Sequence, residues 1–226
     1  MINSPIILAL DSTELDRCEE LIQQTRDYVS IYKLGLEYFN QNGAKGVLQL
    51  QERVGSFDLF LDLKLHDIPN TVAGAARAIG FLKPRFLTVH ASGGDAMIKS
   101  AVTELPKTVV TAVTVLTSLD SEALAKMGLP DAVEMVLSLA DTAVAAGAKA
   151  VVTSPREVSL LRNRLSPDIK LITPGVRPAQ LSDDQARTAT PQEALAAGAD
   201  YLVVGRPITA ATDPRRAAAE IFASLT

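Results

Sequence analysis

Eight short runs of β-branched and aliphatic residues recur along the chain and constrain its fold more than any other feature. They are IILAL (6–10), IYKLG (31–35), LFLDLKL (59–65), FLTVHA (86–91), VVTAVTVLT (109–117), AVVTS (150–154), KLITPG (170–175) and YLVVG (201–205). Several are apolar on both faces, as strands of a parallel sheet are when helices cover it on both sides. Between them lie Ala-, Leu- and Glu-rich segments at helical period, such as ELDRCEELIQQTRDY, TVAGAARAIGFL, AVEMVLSLADTAVAAG and PQEALAAGA. The runs are spaced by about 20–40 residues, the size of a βα unit. Eight such units in 226 residues predict an α/β chain folded as a (β/α)8 TIM barrel near the short end of its size range. The alternative is an open, doubly wound sheet.

Two joints resemble each other: AVAAGAKAVVTSP (143–155) and ALAAGADYLVVGRP (194–207). Both read as helix, Gly stop, strand and polar turn, because glycine adopts the left-handed conformation that ends a helix at little cost. No Gly/Ser linker or composition break marks a boundary, so residues 1–226 are expected to form a single domain. The runs close on Asp11, Lys33, Asp62 with Lys64, His90, Thr117, Ser154, Thr173 and Gly205-Arg206. A barrel gathers all C-terminal strand ends on one face, whereas an open sheet would spread them along an edge.

The most unusual segment is LDLKLHDIPNT (61–71), an apolar run interrupted by Asp62, Lys64 and Asp67. Residues two apart on a strand share a face, so Asp62 and Lys64 are expected inside the barrel mouth, with Leu61, Leu63 and Leu65 facing the helices. Pro69 and Asn70 end the run and start a helix, with Asn70 or Asp67 as its cap. Each residue alone has a structural reading, as a strand salt bridge or a cap. Together, two carboxylates flank one ammonium and hold it as a cation, which makes Lys64 a proton donor or electrostatic anchor. That role differs from a Schiff-base lysine, which must be able to lose its charge. Lys33 ends the preceding run, and two lysines with two aspartates make a larger ion network than stability requires.

The last run ends in Gly205-Arg206-Pro207. Glycine lets the backbone approach a ligand, and arginine offers a charged fork to a phosphate. The preceding run leads into TPGVRPAQLSDDQAR (173–187), a polar loop with Gly175, Arg177 and Gln185. The loops after the last two strands of a barrel are a frequent phosphate site, and a long one can close over the ligand. A solvated turn with a surface arginine is the plain reading of either loop alone. Thr117 and Ser118, after the fifth run, are ordinary loop residues unless the barrel mouth is the site.

The totals exclude several function classes. A formal charge of -4 gives no broad cationic surface for nucleic acid or an anionic membrane. No apolar run approaches the roughly 20 residues that span a bilayer. MINSPIILALDS lacks a basic leader and reads as a first strand, not a signal peptide. The single Cys18 excludes an intrachain disulfide, fits a reducing cytoplasmic setting, and is not expected to be a nucleophile. His66 and His90 are too few for a His-rich metal site.

The ordered set LALD (8–11), YKLG (32–35), DLKLHDIPNT (62–71), TVHASGG (88–94), VLTS (115–118), TPGVRP (173–178), DQAR (184–187) and VVGRPIT (203–209) resembles the bacterial orotidine 5′-phosphate decarboxylases over nearly the whole chain. Leu65 stands where bacterial members often carry phenylalanine. The resemblance implies a homodimer of (β/α)8 barrels with no metal or organic cofactor. It implies conversion of orotidine 5′-monophosphate to UMP and carbon dioxide, which closes de novo pyrimidine nucleotide synthesis. It also implies roles: Lys64 as proton donor to C6 of the pyrimidine, Asp62 beside the substrate carboxylate, and Lys33 holding the network and a ribose hydroxyl. Asp11 would bind ribose, and Thr117 and Ser118 would lie near the pyrimidine. Arg177, Gln185, Gly205 and Arg206 would bind phosphate, Gln185 also touching the base, and Asp67 and Thr71 would reach into the partner's site. The nearest rival, a magnesium-dependent sugar-phosphate decarboxylase or aldolase, carries an acidic residue where this chain has Lys33. A rival of another class is a nucleotide-binding protein without catalysis, which has no need of Lys64 between carboxylates.

Overall fold

The computed structural model describes residues 4–177 and 189–225. Eight parallel strands close into a barrel in chain order: β1 (Ile6–Ala9), β2 (Ile31–Gly35), β3 (Asp58–Leu65), β4 (Phe86–His90), β5 (Val109–Val113), β6 (Ala150–Val152), β7 (Lys170–Thr173) and β8 (Tyr201–Val204). β1 pairs with both β2 and β8, which excludes the open sheet. Around it run α1 (Leu15–Thr25), α2 (Leu36–Val54), α3 (Pro69–Ile79), α4 (Gly94–Glu104), α5 (Ser121–Lys126), α6 (Ala132–Ala145), α7 (Val158–Arg164), α8 (Pro191–Ala196), α9 (Arg206–Thr209) and α10 (Pro214–Ala223).

Alternation along the strands builds two cores. Ile7, Ile31, Phe60, Phe86, Ala150 and Ile172 fill the barrel interior, with the Phe60 and Phe86 rings 5.5 Å apart. The intervening residues, such as Leu8, Leu34, Leu61, Leu87, Val151 and Leu202, are buried among the helices in a much larger cluster. Leu63 and Leu65 join that outer layer, as the alternation predicts. Each fully buried side chain of this size is worth about 1.5–3 kcal/mol. The N-terminal end of the barrel is plugged by Arg85, which ion-pairs Asp58, donates to the Tyr201 hydroxyl at 2.8 Å and lies over the Phe86 and Tyr201 rings. The cavity described below lies at the opposite, C-terminal mouth.

Both predicted Gly stops are present: Gly147 and Gly198 follow α6 and α8 with φ of +99° and +106°. α8 begins with a capping box, in which Thr190 and Glu193 satisfy each other's backbone N–H. Two local expectations are corrected. β5 stops at Val113, four residues before the apolar run ends. Thr114 turns away there, its hydroxyl donating to the Val152 carbonyl at 3.1 Å, so Thr117 and Ser118 lie on a loop. Neither Asn70 nor Asp67 caps α3. Ile68 occupies the cap position without a side-chain bond, Pro69 follows it, and Asp67 accepts from the Ile68 N–H at 2.6 Å, outside the helix.

Candidate active site

Lys64 sits in a break of the sheet. β3 and β4 pair at Leu61↔Leu87 and next at Leu65↔Val89, so four steps on β3 match two on β4. The extra length is taken up by a bulge, and Lys64 within it has φ +49°. A left-handed lysine is strained by about 1–3 kcal/mol, and such strain gathers at functional sites. The bulge keeps Lys64 on the side of Asp62, and its Nζ donates to Asp62 Oδ1 at 2.8 Å. Lys33 Nζ approaches the other oxygen, Oδ2, at 3.3 Å, and reaches Asp11 Oδ1 at 3.6 Å. Thr88, fully buried on β4, donates its hydroxyl to Asp62 Oδ1 at 3.0 Å and accepts the Lys64 backbone N–H at 2.8 Å.

The charges explain the state of Asp62. Burial alone would raise its pKa, but the Lys33 and Lys64 ammonium groups, aided by hydrogen bonds from Lys64 and Thr88, outweigh burial and hold the carboxyl below its usual range. Asp62 is thus an anion with both oxygens engaged. His90, at the end of β4, has its pKa lowered by burial and then by His66 and Lys64, so it is neutral at pH 7. Its ring lies 5.3 Å from that of His66. Cys18, on the buried face of α1, has its thiol pushed up to about 12 by burial, which leaves it inert as a nucleophile.

A cavity of about 280 Å³ opens above this ion chain, near the lower size of small-ligand sites. Phe60, Val113, Val152 and Val203 give it apolar walls. Its rim and floor carry Lys33, Lys64, Arg177 and Arg206 against Asp11 and Asp62, an excess of two positive charges in a chain whose total is -4. That local excess suits an anionic ligand. Gly175, with φ +75°, and Gly205 bring bare backbone to the cavity. A Cβ on Gly205 would stand 3.4 Å from Asp11 Oδ2, in the space between β8 and β1. Arg177 is buried, and its N–H donates to the Ala189 carbonyl at 3.0 Å, joining the two ends of the β7 loop.

Among the expected site residues, Asp11, Lys33, Asp62, Lys64, Thr117, Arg177, Gly205 and Arg206 line this one cavity. Ser118 is exposed on the loop beside Thr117 and is not part of the lining. Asp67 and Thr71 are exposed at the start of α3 and also stand apart from it. Within the described residues Asp67 forms no ion pair with Lys64, and the second aspartate of the network is Asp11. Gln185 lies outside the described residues. The sequence reading missed Thr88. Its only signal is an inward-facing hydroxyl residue in the apolar part of β4, and its partners depend on a bulge that periodicity does not reveal.

A closed parallel barrel with a cationic cavity and an ordered Lys–Asp–Lys chain at its C-terminal mouth defines a (β/α)8-barrel enzyme for an anionic small molecule. The chain belongs to the Orotidine 5′-phosphate decarboxylase / HUMPS family, whose profile matches residues 4–221. It is 50% identical to an orotidine 5′-phosphate decarboxylase of Thermobifida fusca, over 98% of this chain and 96% of that one. A Rhodospirillum rubrum protein of the same name is 48% identical, covering 96% of this chain and 92% of its own. The crystal structure of the orotidine 5′-phosphate decarboxylase from Lactobacillus acidophilus superposes with a TM-score of 0.85 at 36% identity, covering 99% of both chains.

Proposed function

We propose that this single-domain barrel decarboxylates orotidine 5′-monophosphate to UMP and carbon dioxide, the last step of de novo pyrimidine nucleotide synthesis. The observation that carries the reading is the Lys64 ammonium, held 2.8 Å from Asp62 at the floor of a cavity lined by two further arginines and Lys33. The 48–50% identity, over nearly the full chain, to proteins named for this reaction supports this choice of substrate.

The chemistry needs these groups. When the bond between C6 and the carboxyl carbon breaks, its electron pair stays on C6. No ring position of the uracil delocalises that pair well, so a fixed cation beside C6 must stabilise it and then protonate it. Lys64 supplies both, the charge as the bond breaks and the proton afterwards, and recovers a proton from solvent. Asp62, an anion beside the substrate carboxylate, adds a repulsion that is relieved as carbon dioxide leaves. Lys33 holds Asp62 in place and meets a ribose hydroxyl, which Asp11 also binds. Arg177, Gly205 and Arg206, with Gln185, take the phosphate, and Thr117 and Ser118 lie against the pyrimidine. Binding energy from the phosphate, remote from C6, serves to assemble the site.

Asp67 and Thr71 complete the site of a second copy in a homodimer. Their exposure, next to Ile68 at 66%, supports this placement. The enzyme is cytoplasmic in this reading. Among the described residues no helix is long and apolar enough to cross a membrane. The test is an absorbance assay of the purified protein with orotidine 5′-monophosphate, with and without a chelator. Conversion to UMP that survives the chelator supports the reading. Conversion lost with the chelator returns the magnesium-dependent relatives to first place, and no conversion at all leaves a nucleotide-binding barrel.

A further inference from the structure

We infer that Thr88 is a positioning residue for the decarboxylation, through one hydroxyl that couples the Asp62 carboxylate to the Lys64 main chain. The inference rests on the decarboxylase reading above. Regular pairing fails between Leu61 and Leu65, so the Lys64 N–H bonds the Thr88 oxygen at 2.8 Å in place of a ladder carbonyl. The same oxygen donates its proton to Asp62 Oδ1 at 3.0 Å. That Oδ1 is also the acceptor for Lys64 Nζ, at 2.8 Å. Both ends of the lysine are thereby tied to one atom pair: its backbone directly through Thr88, its ammonium through the carboxylate that Thr88 orients.

Lys64 carries a long flexible stem on a strained backbone, with its side chain 31% exposed. A donor of that kind holds its place only through its anchors. Thr88 is fully buried, its hydroxyl has a single proton, and that proton is committed to Asp62. Thr88 touches no cavity surface and so has no direct part in substrate binding. Its loss would act on the placement of charge at the reacting atom and leave ground-state affinity nearly unchanged.

The test compares Thr88→Val, which keeps shape and removes the hydroxyl, with Thr88→Ser, which keeps the hydroxyl. For Thr88→Val, kcat is expected to fall about 10–100-fold, the rate equivalent of one hydrogen bond to a charged group, with KM changed less than about threefold. The acidic limb of the kcat profile should move to higher pH, because Asp62 loses a bond that favours its anion. Thr88→Ser should restore both kcat and the limb. A merely structural threonine would lower the melting temperature without moving the limb. Native kcat in Thr88→Val, an unmoved acidic limb, or no rescue by serine overturns the inference while leaving the decarboxylase reading intact. No turnover by the unsubstituted protein overturns the decarboxylase reading and this inference with it.

Discussion

Replacing Asp62 by asparagine isolates the electrostatic core of the site, because the amide keeps the shape and discards the charge. In the native chain Asp62 faces Lys64 Nζ at 2.8 Å and Lys33 Nζ at 3.3 Å. Removing one partner of a buried ion pair costs about 3–5 kcal/mol. Here three features lower that figure. The side chains of Lys33 and Lys64 keep 12% and 31% of their exposure, so water recovers part of their solvation. Lys33 retains Asp11 at 3.6 Å, and the Thr88 hydroxyl still has an amide oxygen to bond. A loss of about 2–3 kcal/mol at pH 7 follows, below the cost of a fully buried pair.

The loss should depend on pH with a definite sign. Asp62 has a depressed pKa in the folded protein, so its contribution is fully present above the unfolded carboxylate value of about 3.9 and disappears as pH falls through the folded value. Urea unfolding of both proteins at one fixed concentration, from pH 7 down to the acid limit, reads the difference directly. The gap between native and Asp62→Asn should be constant near neutrality and narrow below about pH 4. An equally or more stable variant at pH 7, or a gap that stays the same into acid, would refute the ion-network reasoning.

Two further predictions address the remaining parts of the site. Arg206→Ala should weaken UMP binding strongly and leave uridine binding little changed, measured by calorimetry; equal losses for both would make Arg206 structural. Lys64→Ala and Asp67→Ala, each inactive alone, should regain up to about a quarter of native activity when refolded together, since half the dimers are hybrids with one intact site. A mixture as inactive as its components would remove Asp67 from the partner's site.

The barrel was legible because its signals are local and repeated. Eight apolar runs and the Gly stops at Gly147 and Gly198 need no long-range information. The location of Asp62, Lys64, Lys33, Asp11, Arg177, Gly205 and Arg206 around one cavity was legible for a related reason: a barrel brings every C-terminal strand end to one mouth. What stayed hidden depends on departures from period. Lys64 shares a face with Asp62 as alternation predicts, but the bulge and left-handed backbone at Lys64, and the bond they allow from its N–H to Thr88, leave no mark in the period. The early end of β5 at Val113 was hidden because VTVLT is as apolar after the strand as within it. Asp67 lies close in sequence to Lys64 but points to solvent, so adjacency along the chain suggested a flanking pair that this chain does not form by itself.

Under the proposed mechanism Lys64 supplies both the cation and the proton at C6. Turnover of orotidine 5′-monophosphate by Lys64→Ala, beside the native protein under saturating substrate, measures this role most directly. Loss of a single general acid costs roughly 10²–10⁴-fold, and loss of its charge adds to that. A folded variant whose rate falls by at least this range is expected. A Lys64→Ala protein turning over within about tenfold of the native rate would contradict the mechanism, since that limit lies well inside the expected loss.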